Sequence, residues 1–112
     1  MNDLNDLRDE IYDDAVKHGL WYEAELLRVW NYYNKQKKDA IDRVRREDCA
    51  MRIKDEVEEL YDGAYDVNHY TEELADVIIT ALSAAGYLGI DIDKAVRAKM
   101  EINRGRAWRH GK

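Results

Sequence analysis

The stretch TEELADVIITALSAAGY, residues 71–87, decides the fold class of this chain. Its apolar side chains recur at the three- and four-residue intervals of an α-helix: Leu74, Val77, Ile78, Ala81, Leu82 and Ala85. The second half is apolar nearly all round, which predicts burial on several sides. In so small a domain we expect such a helix to be shared with a second subunit. Thr71 is its predicted N-cap.

Other helices are predicted on both sides of this stretch. A stripe of Leu4, Leu7, Ile11 and Ala15 predicts a first helix over residues 4–17, with Asn2 or Asp3 as cap and Gly19 as terminator. The stripe of Ile53, Val57, Leu60 and Ala64 predicts another, and Asp93 is the predicted N-cap of a last helix that ends near residue 103. Between these, the polar, basic segment 34–46 predicts a helix break or a protruding helical arm. We therefore expect residues 1–112 to form one all-α domain, a helical bundle, with residues 104–112 as a flexible tail.

Composition excludes several classes of protein. The chain has 112 residues, no proline and six glycines, which is too little turn chemistry for a β architecture. One cysteine, Cys49, excludes a disulfide framework and a cysteine-rich zinc module, and we expect it to be buried rather than reactive. The most apolar run, residues 77–90, is shorter than the roughly 18 residues of a membrane span. Since no basic-then-apolar leader opens the chain, we expect a soluble, reducing, cytoplasmic setting without membrane association.

Charge is distributed unevenly along the chain. The net charge is −6, yet residues 94–112 contain seven Lys or Arg and one acid. Between Asp55 and Asp76 there are nine acids and no Lys or Arg. Because uncompensated like charge disfavours a compact state, the acidic stretch is either a solvated face or a cation site.

Two carboxylate motifs lie in the acidic stretch, Glu56-x-x-Glu59 and Glu73-x-x-Asp76. At about 100° per residue, both members of each pair flank the apolar stripe of their helix, whereas Glu58 points away from it. A short link over residues 63–70 would turn the chain back, making the two helices antiparallel neighbours. We therefore expect the four carboxylates to converge at the rim of the core.

Four crowded carboxylates cannot all stay ionised without compensation, because each raises the pKa of its neighbours. A hard divalent cation with oxygen ligands, Mg²⁺ or else Mn²⁺, provides that compensation. A ferritin-like iron site needs Glu-x-x-His, and no glutamate here has a histidine three residues later. We interpret His18, His69 and His110 as surface or loop residues.

Four fragments together resemble a known family: DEVEEL at 55–60, EELADV at 72–77, KMEINR at 99–104 and the closing RHGK at 109–112. They are similar to the MazG-like all-α nucleoside triphosphate pyrophosphohydrolases, from about Arg52 to the end of the chain. The family motif begins with two glutamates, and the first of those places is Asp55 here. The resemblance implies a four-helix bundle, assembled as a homodimer or homotetramer. The implied reaction is Mg²⁺-dependent hydrolysis of a nucleoside triphosphate, ribo or deoxy, to the monophosphate and pyrophosphate.

Site roles follow from the same resemblance. It implies Glu56, Glu59, Glu73 and Asp76 as Mg²⁺ ligands, and Glu56 or Glu59 as the catalytic group that orients or deprotonates the attacking water. Lys99 and Asn103, one turn apart, would hydrogen-bond the triphosphate, with Arg104, Arg106 and Arg109 as further phosphate contacts. A base also needs an apolar slot, for which Trp30 is a candidate stacking residue, with core packing as its other interpretation.

Three alternatives remain open at this point. The chain could be a non-catalytic helical interaction module whose acidic face binds a basic partner or a cation. It could bind nucleic acid through the basic segment 35–46 and the basic residues at the C-terminus. Its overall acidity would repel a phosphate backbone, so we expect no nucleic-acid partner. It could also be a pyrophosphohydrolase of the same superfamily that acts on a phosphoribosyl nucleotide or an alarmone.

Overall fold

The computed structural model describes residues 3–22, 26 and 38–106. These residues form four α-helices and no strand: α1 Leu4–Lys17, α2 Lys38–Asp62, α3 Val67–Leu88 and α4 Ile92–Arg104. Helix α3 packs against both α1 and α2, and α4 packs against α1. The all-α bundle predicted from the sequence is confirmed.

The N-caps show where helix ends could and could not be predicted. Helix α1 begins as predicted, with Asp3 in a capping box, and Gly19 follows it at φ 78°. The predicted cap at Thr71 is wrong, because Asp66 caps α3 and the Thr71 hydroxyl donates to the Val67 carbonyl inside the helix. The predicted cap at Asp93 is also wrong, since Asp91 caps α4. In both cases an aspartate farther upstream takes the free amide groups of the first turn.

Helix α2 is continuous from Lys38 to Asp62. Of the two predictions for the segment 34–46, a break is therefore wrong for residues 38–46, which are helical as an arm would be. Residues 34–37 lie outside the described part. Charged pairs four residues apart, Arg43 with Glu47 at 2.9 Å and Arg52 with Asp48 at 3.0 Å, support this polar helix along its surface. Of the predicted tail, Arg104 is the last residue of α4, and residues 107–112 lie outside the described part.

The core is small and centred on one tryptophan. Trp21 stacks on Tyr87 with ring centroids 4.4 Å apart, and its Nε1 donates to the Ser83 hydroxyl at 3.0 Å. Cys49 and Ala84 complete the buried cluster. The predicted burial of Cys49 is confirmed, and this burial raises the pKa of its thiol, which disfavours the reactive thiolate.

The second half of α3 is buried as predicted, over residues 82–85 and 87. The residues that cover it belong to the same chain, chiefly α1, α2 and Trp21. Its burial does not by itself require a second subunit, and the shared helix stays a prediction.

The side chain of Asn5 connects α1 to the start of α4. The amide oxygen of Asn5 accepts from the backbone N–H groups of Ile92 and Asp93, and its Nδ2 donates to Asp91 at 2.8 Å. That hydrogen bond, and a second from the Lys94 backbone, hold the pKa of Asp91 below its usual value. The first turn of α1 thus completes the cap of α4.

Within the described ranges, no single helix has both the length and the apolarity that crossing a membrane requires. Helices α3 and α4 meet that test of length and composition only as a pair, and the chain bends by 116° between them.

Helices α1 and α3 lie close together at Gly86. A Cβ added there would lie 2.6 Å from Tyr12 Cβ, an atom fixed directly to the α1 backbone. We expect Gly86→Ala to reduce the free energy of unfolding by about 1–3 kcal/mol, because overpacking outweighs the gain in helix propensity. Urea denaturation followed by circular dichroism measures the change.

Gly105→Ala is the matched control, since its Cβ would meet its nearest neighbours at 3.7 and 3.8 Å, which is ordinary contact. Equal unfolding free energies for the two variants would contradict the close approach of α1 and α3.

Candidate functional site

Three of the four predicted carboxylates meet between α2 and α3. Glu56, Glu59 and Glu73 each place one oxygen so that the three atoms lie within 4.8 Å of one another. Asp76 is not in this group of three, but its charge acts on Glu56. We call Glu56, Glu59 and Glu73 the carboxylate cluster.

The link between α2 and α3 brings the cluster together. Only residues 63–66 separate the two helices, so the chain reverses and α3 returns along α2. Glu59 lies one turn before the end of α2, and Glu73 lies within the first two turns of α3. Glu58 takes the other side of α2, where its carboxylate is 4.0 Å from Lys54 Nζ. The structure thus brings Glu56, Glu59 and Glu73 together and places Glu58 beside Lys54 instead.

The negative charges of the carboxylate cluster repel one another. Partial burial and the adjacent Glu59 raise the pKa of Glu56, with smaller contributions from Asp76 and Glu73. The Glu73 side chain is only 15% exposed, and its Oε2 is buried with no hydrogen-bond donor among the described residues. A buried carboxylate oxygen without a donor fits a metal ligand, and an all-oxygen donor set suits Mg²⁺ or Mn²⁺.

His69 lies beside the cluster, which the sequence analysis did not anticipate. It belongs to the first turn of α3, and its Nε2 is 3.6 Å from the other oxygen of Glu73. Gly63 permits this placement, since a Cβ there would lie 2.1 Å from the His69 ring. The signal in the sequence is the four-residue spacing from His69 to Glu73, which places both side chains on one side of α3.

A cavity of about 500 Å³ opens next to the cluster, between α1, α2 and α3. Its lining comprises Ile11, Asp14, Ala15, His18, Leu20, Trp21, Arg52, Asp55, Glu56, Ile79, Thr80, Ser83 and Ala84. The volume is in the range of small-ligand sites, and the wall is largely apolar with a few polar groups. Glu56 belongs to both the cavity and the carboxylate cluster, so a ligand in the cavity would reach the carboxylates.

The predicted phosphate-binding residues lie on α4 or just after it. Lys99 and Arg106 are exposed, and Arg104 pairs with Glu101 at 2.7 Å. Asn103 has its side-chain oxygen buried without a donor in the described ranges. Within those ranges, no hydrogen bond or ion pair connects these four residues to the carboxylate cluster, and their roles stay predictions. Trp30, Trp108 and Arg109 lie outside the described residues, as does His110.

Two residues of the cavity wall were not predicted as ligand-binding. Trp21 is both a core residue and part of the wall. Arg52 was not singled out at all. Its signal is the four-residue series Asp48, Arg52, Glu56, which puts an arginine on the same side of α2 as the carboxylate.

Comparison with known proteins gives one informative similarity. Over 57 residues the chain is 46% identical to a protein from Cyanophage S-2L named dATP/dGTP diphosphohydrolase. The alignment covers 51% of this chain and 52% of that protein, so the chain spans about half the length of the curated relative it matches. No family model and no solved structure matches the chain. The similarity supports a relationship to nucleotide pyrophosphohydrolases.

A cation should stabilise the protein through the carboxylate cluster. We expect millimolar Mg²⁺ or Mn²⁺ to raise the melting temperature, because a ligand that binds the folded state shifts the unfolding equilibrium. In Glu56→Gln the metal-free protein should melt higher than the wild type, and the metal-induced increase should shrink. Differential scanning fluorimetry across a metal titration measures both.

Glu58→Gln is the control for this titration, because Glu58 lies on the opposite side of α2. A melting temperature that is independent of both cations would exclude a metal site at the cluster.

Proposed function

We propose that the protein hydrolyses a nucleoside triphosphate to the monophosphate and pyrophosphate with Mg²⁺ at the carboxylate cluster. The observation that carries the proposal is the position of Glu56. It is one of the three crowded carboxylates, and it also lines a cavity of about 500 Å³. A nucleoside in the cavity would place its phosphates beside the carboxylates. The similarity to a diphosphohydrolase points to the same chemistry.

The relative's name also suggests a substrate class. It names dATP and dGTP, so purine deoxynucleoside triphosphates are the substrates we propose for this chain. The sequence motifs also favour the MazG-like family, because Glu56-x-x-Glu59 and Glu73-x-x-Asp76 carry that resemblance. Removal of aberrant nucleotides or control of a nucleotide pool, in the cytoplasm, is the role that we assign to this activity.

The cluster's residues have distinct tasks in this proposal. Glu56, Glu59 and Glu73 would hold the cation, with Asp76 adding negative charge beside them. When bound, Mg²⁺ polarises the phosphoryl oxygens and lowers the pKa of a water. Glu59 is the most exposed carboxylate of the cluster, which suits a residue that orients the attacking water. Lys99, Asn103, Arg104 and Arg106 would bind the triphosphate.

Exchange of one carboxylate for an amide tests the assignment. We expect Glu59→Gln to reduce pyrophosphate release by about a hundredfold or more while the helical content is retained, because the amide neither ligates Mg²⁺ well nor accepts a proton. Glu58→Gln should leave the rate near that of the wild type. A panel of ribo- and deoxynucleoside triphosphates, a phosphoribosyl nucleotide and an alarmone, each with Mg²⁺, gives the rates.

The outcomes separate this proposal from its alternatives. Turnover of the phosphoribosyl nucleotide or the alarmone alone would transfer the activity to those substrates. Silence from the whole panel would favour a non-catalytic module that binds a cation. Equal losses in the Glu59 and Glu58 variants would contradict the assigned faces of α2.

A second copy of this chain is the partner we propose. The predicted core stripes remain partly uncovered in the single chain, since Leu74 is 40%, Val57 44% and Ile78 52% exposed. These three side chains flank the carboxylate cluster on α2 and α3. Burial of such a surface in a homo-oligomer would contribute about 25 cal/mol for each Å² covered.

Solution mass tests this partner. We expect light scattering after size exclusion to give the mass of a dimer or tetramer, and Ile78→Glu to shift it to the monomer, because a charge in an apolar interface is costly to bury. A wild-type protein that stays monomeric at all concentrations would contradict the proposal.

A further inference from the structure

We infer that Arg52 is a substrate-binding residue whose guanidinium contacts a phosphate of the nucleoside triphosphate. The contact would form where the cavity meets the carboxylate cluster. This inference rests on the proposed function, and deepens it by naming a residue that neither the motifs nor the comparisons assign.

Position is the first argument. Arg52 precedes Glu56 by one helical turn, so both side chains leave the same side of α2, and both line the cavity. A phosphate chain that reached a cation at Glu56 from a nucleoside in the cavity would pass Arg52.

Charge is the second argument. The acidic residues in the cavity wall are Asp14, Asp55 and Glu56. Among the described residues of the wall, Arg52 is the one permanently positive side chain. A ligand with several negative charges requires a counter-charge at this wall in addition to the metal, and arginine binds phosphate through two parallel N–H groups.

Preorganisation is the third argument. Arg52 Nε donates to Asp48 at 3.0 Å, and the guanidinium lies 5.3 Å from the centre of the Trp21 ring. Trp21 is itself fixed by stacking on Tyr87 and by its bond to Ser83. The described hydrogen bond uses Nε, which leaves the two terminal nitrogens to meet a phosphate. A guanidinium held in place loses less freedom when the ligand binds.

Arg43 shows that ion pairing alone does not explain this arrangement. It makes the same four-residue pair on α2, with Glu47 at 2.9 Å, but its side chain is 76% exposed and does not line the cavity. Arg52 is 39% exposed and packs over an aromatic ring. Arg43→Ala is therefore a matched control for Arg52→Ala.

Calorimetric titration with dGTP and with inorganic tripolyphosphate tests the inference, with Ca²⁺ replacing Mg²⁺ to suppress turnover. We expect Arg52→Ala to raise the Kd of both ligands about tenfold or more, because a charged hydrogen bond to the phosphates is lost. Arg52→Lys should give an intermediate Kd, and Arg43→Ala that of the wild type. With Mg²⁺, the KM of Arg52→Ala should rise more than its kcat falls.

Each other outcome overturns the inference in a recognisable way. Wild-type affinity of Arg52→Ala for both ligands removes Arg52 from the site and leaves the proposed function intact. Weaker dGTP binding with unchanged tripolyphosphate binding puts Arg52 on the nucleoside instead of the phosphates. A wild-type protein that binds neither ligand and hydrolyses no nucleotide refutes the proposed function, and the role of Arg52 with it. Circular dichroism verifies the fold, and Arg52→Gln, which still reaches Asp48, replaces the alanine variant if that fails to fold.

Discussion

The rest of the structure depends on one constraint, the mutual repulsion among carboxylates. The four-residue reversal of the chain between α2 and α3 imposes it. Once residues 63–66 turn the chain back, Glu56, Glu59 and Glu73 must share a few ångströms of space. The buried core opposes that repulsion, since Trp21 packs with Cys49 of α2 and with Tyr87 and Ser83 of α3. The core thus stabilises an arrangement that the repulsion among these carboxylates disfavours.

Helix α2 links the two halves of the candidate site. Asp48, Arg52 and Glu56 follow one another at four-residue intervals, so that acid, base and acid alternate along one side. Asp48 lies on the helix surface, Arg52 packs over the Trp21 ring, and Glu56 belongs to the carboxylate cluster. Because one rigid helix carries all three, the spacing between the positive and negative groups depends on helix geometry rather than on loops.

Local periodicity made part of this predictable. The limits of α1 and the opposite faces of Glu56 and Glu58 follow from the 3.6-residue repeat, which does not depend on tertiary structure. The predicted caps of α3 and α4 were wrong because aspartate and threonine near a helix start are chemically similar as caps. The turn upstream of each helix determines which of them is used. The cavity could not be predicted, since its wall combines α1, α2, α3 and Trp21, residues far apart in sequence. Arg52 was overlooked for that reason.

The thiol of Cys49 reports on the packing of the helices around the buried core. It is the single thiol of the chain, it is 3% exposed, and it lies in the same buried cluster as Trp21 and Tyr87. A thiol so placed reacts with an alkylating reagent mainly when the surrounding helices separate. The labelling rate of Cys49 therefore measures how often the bundle opens, on unmodified protein and without any introduced probe.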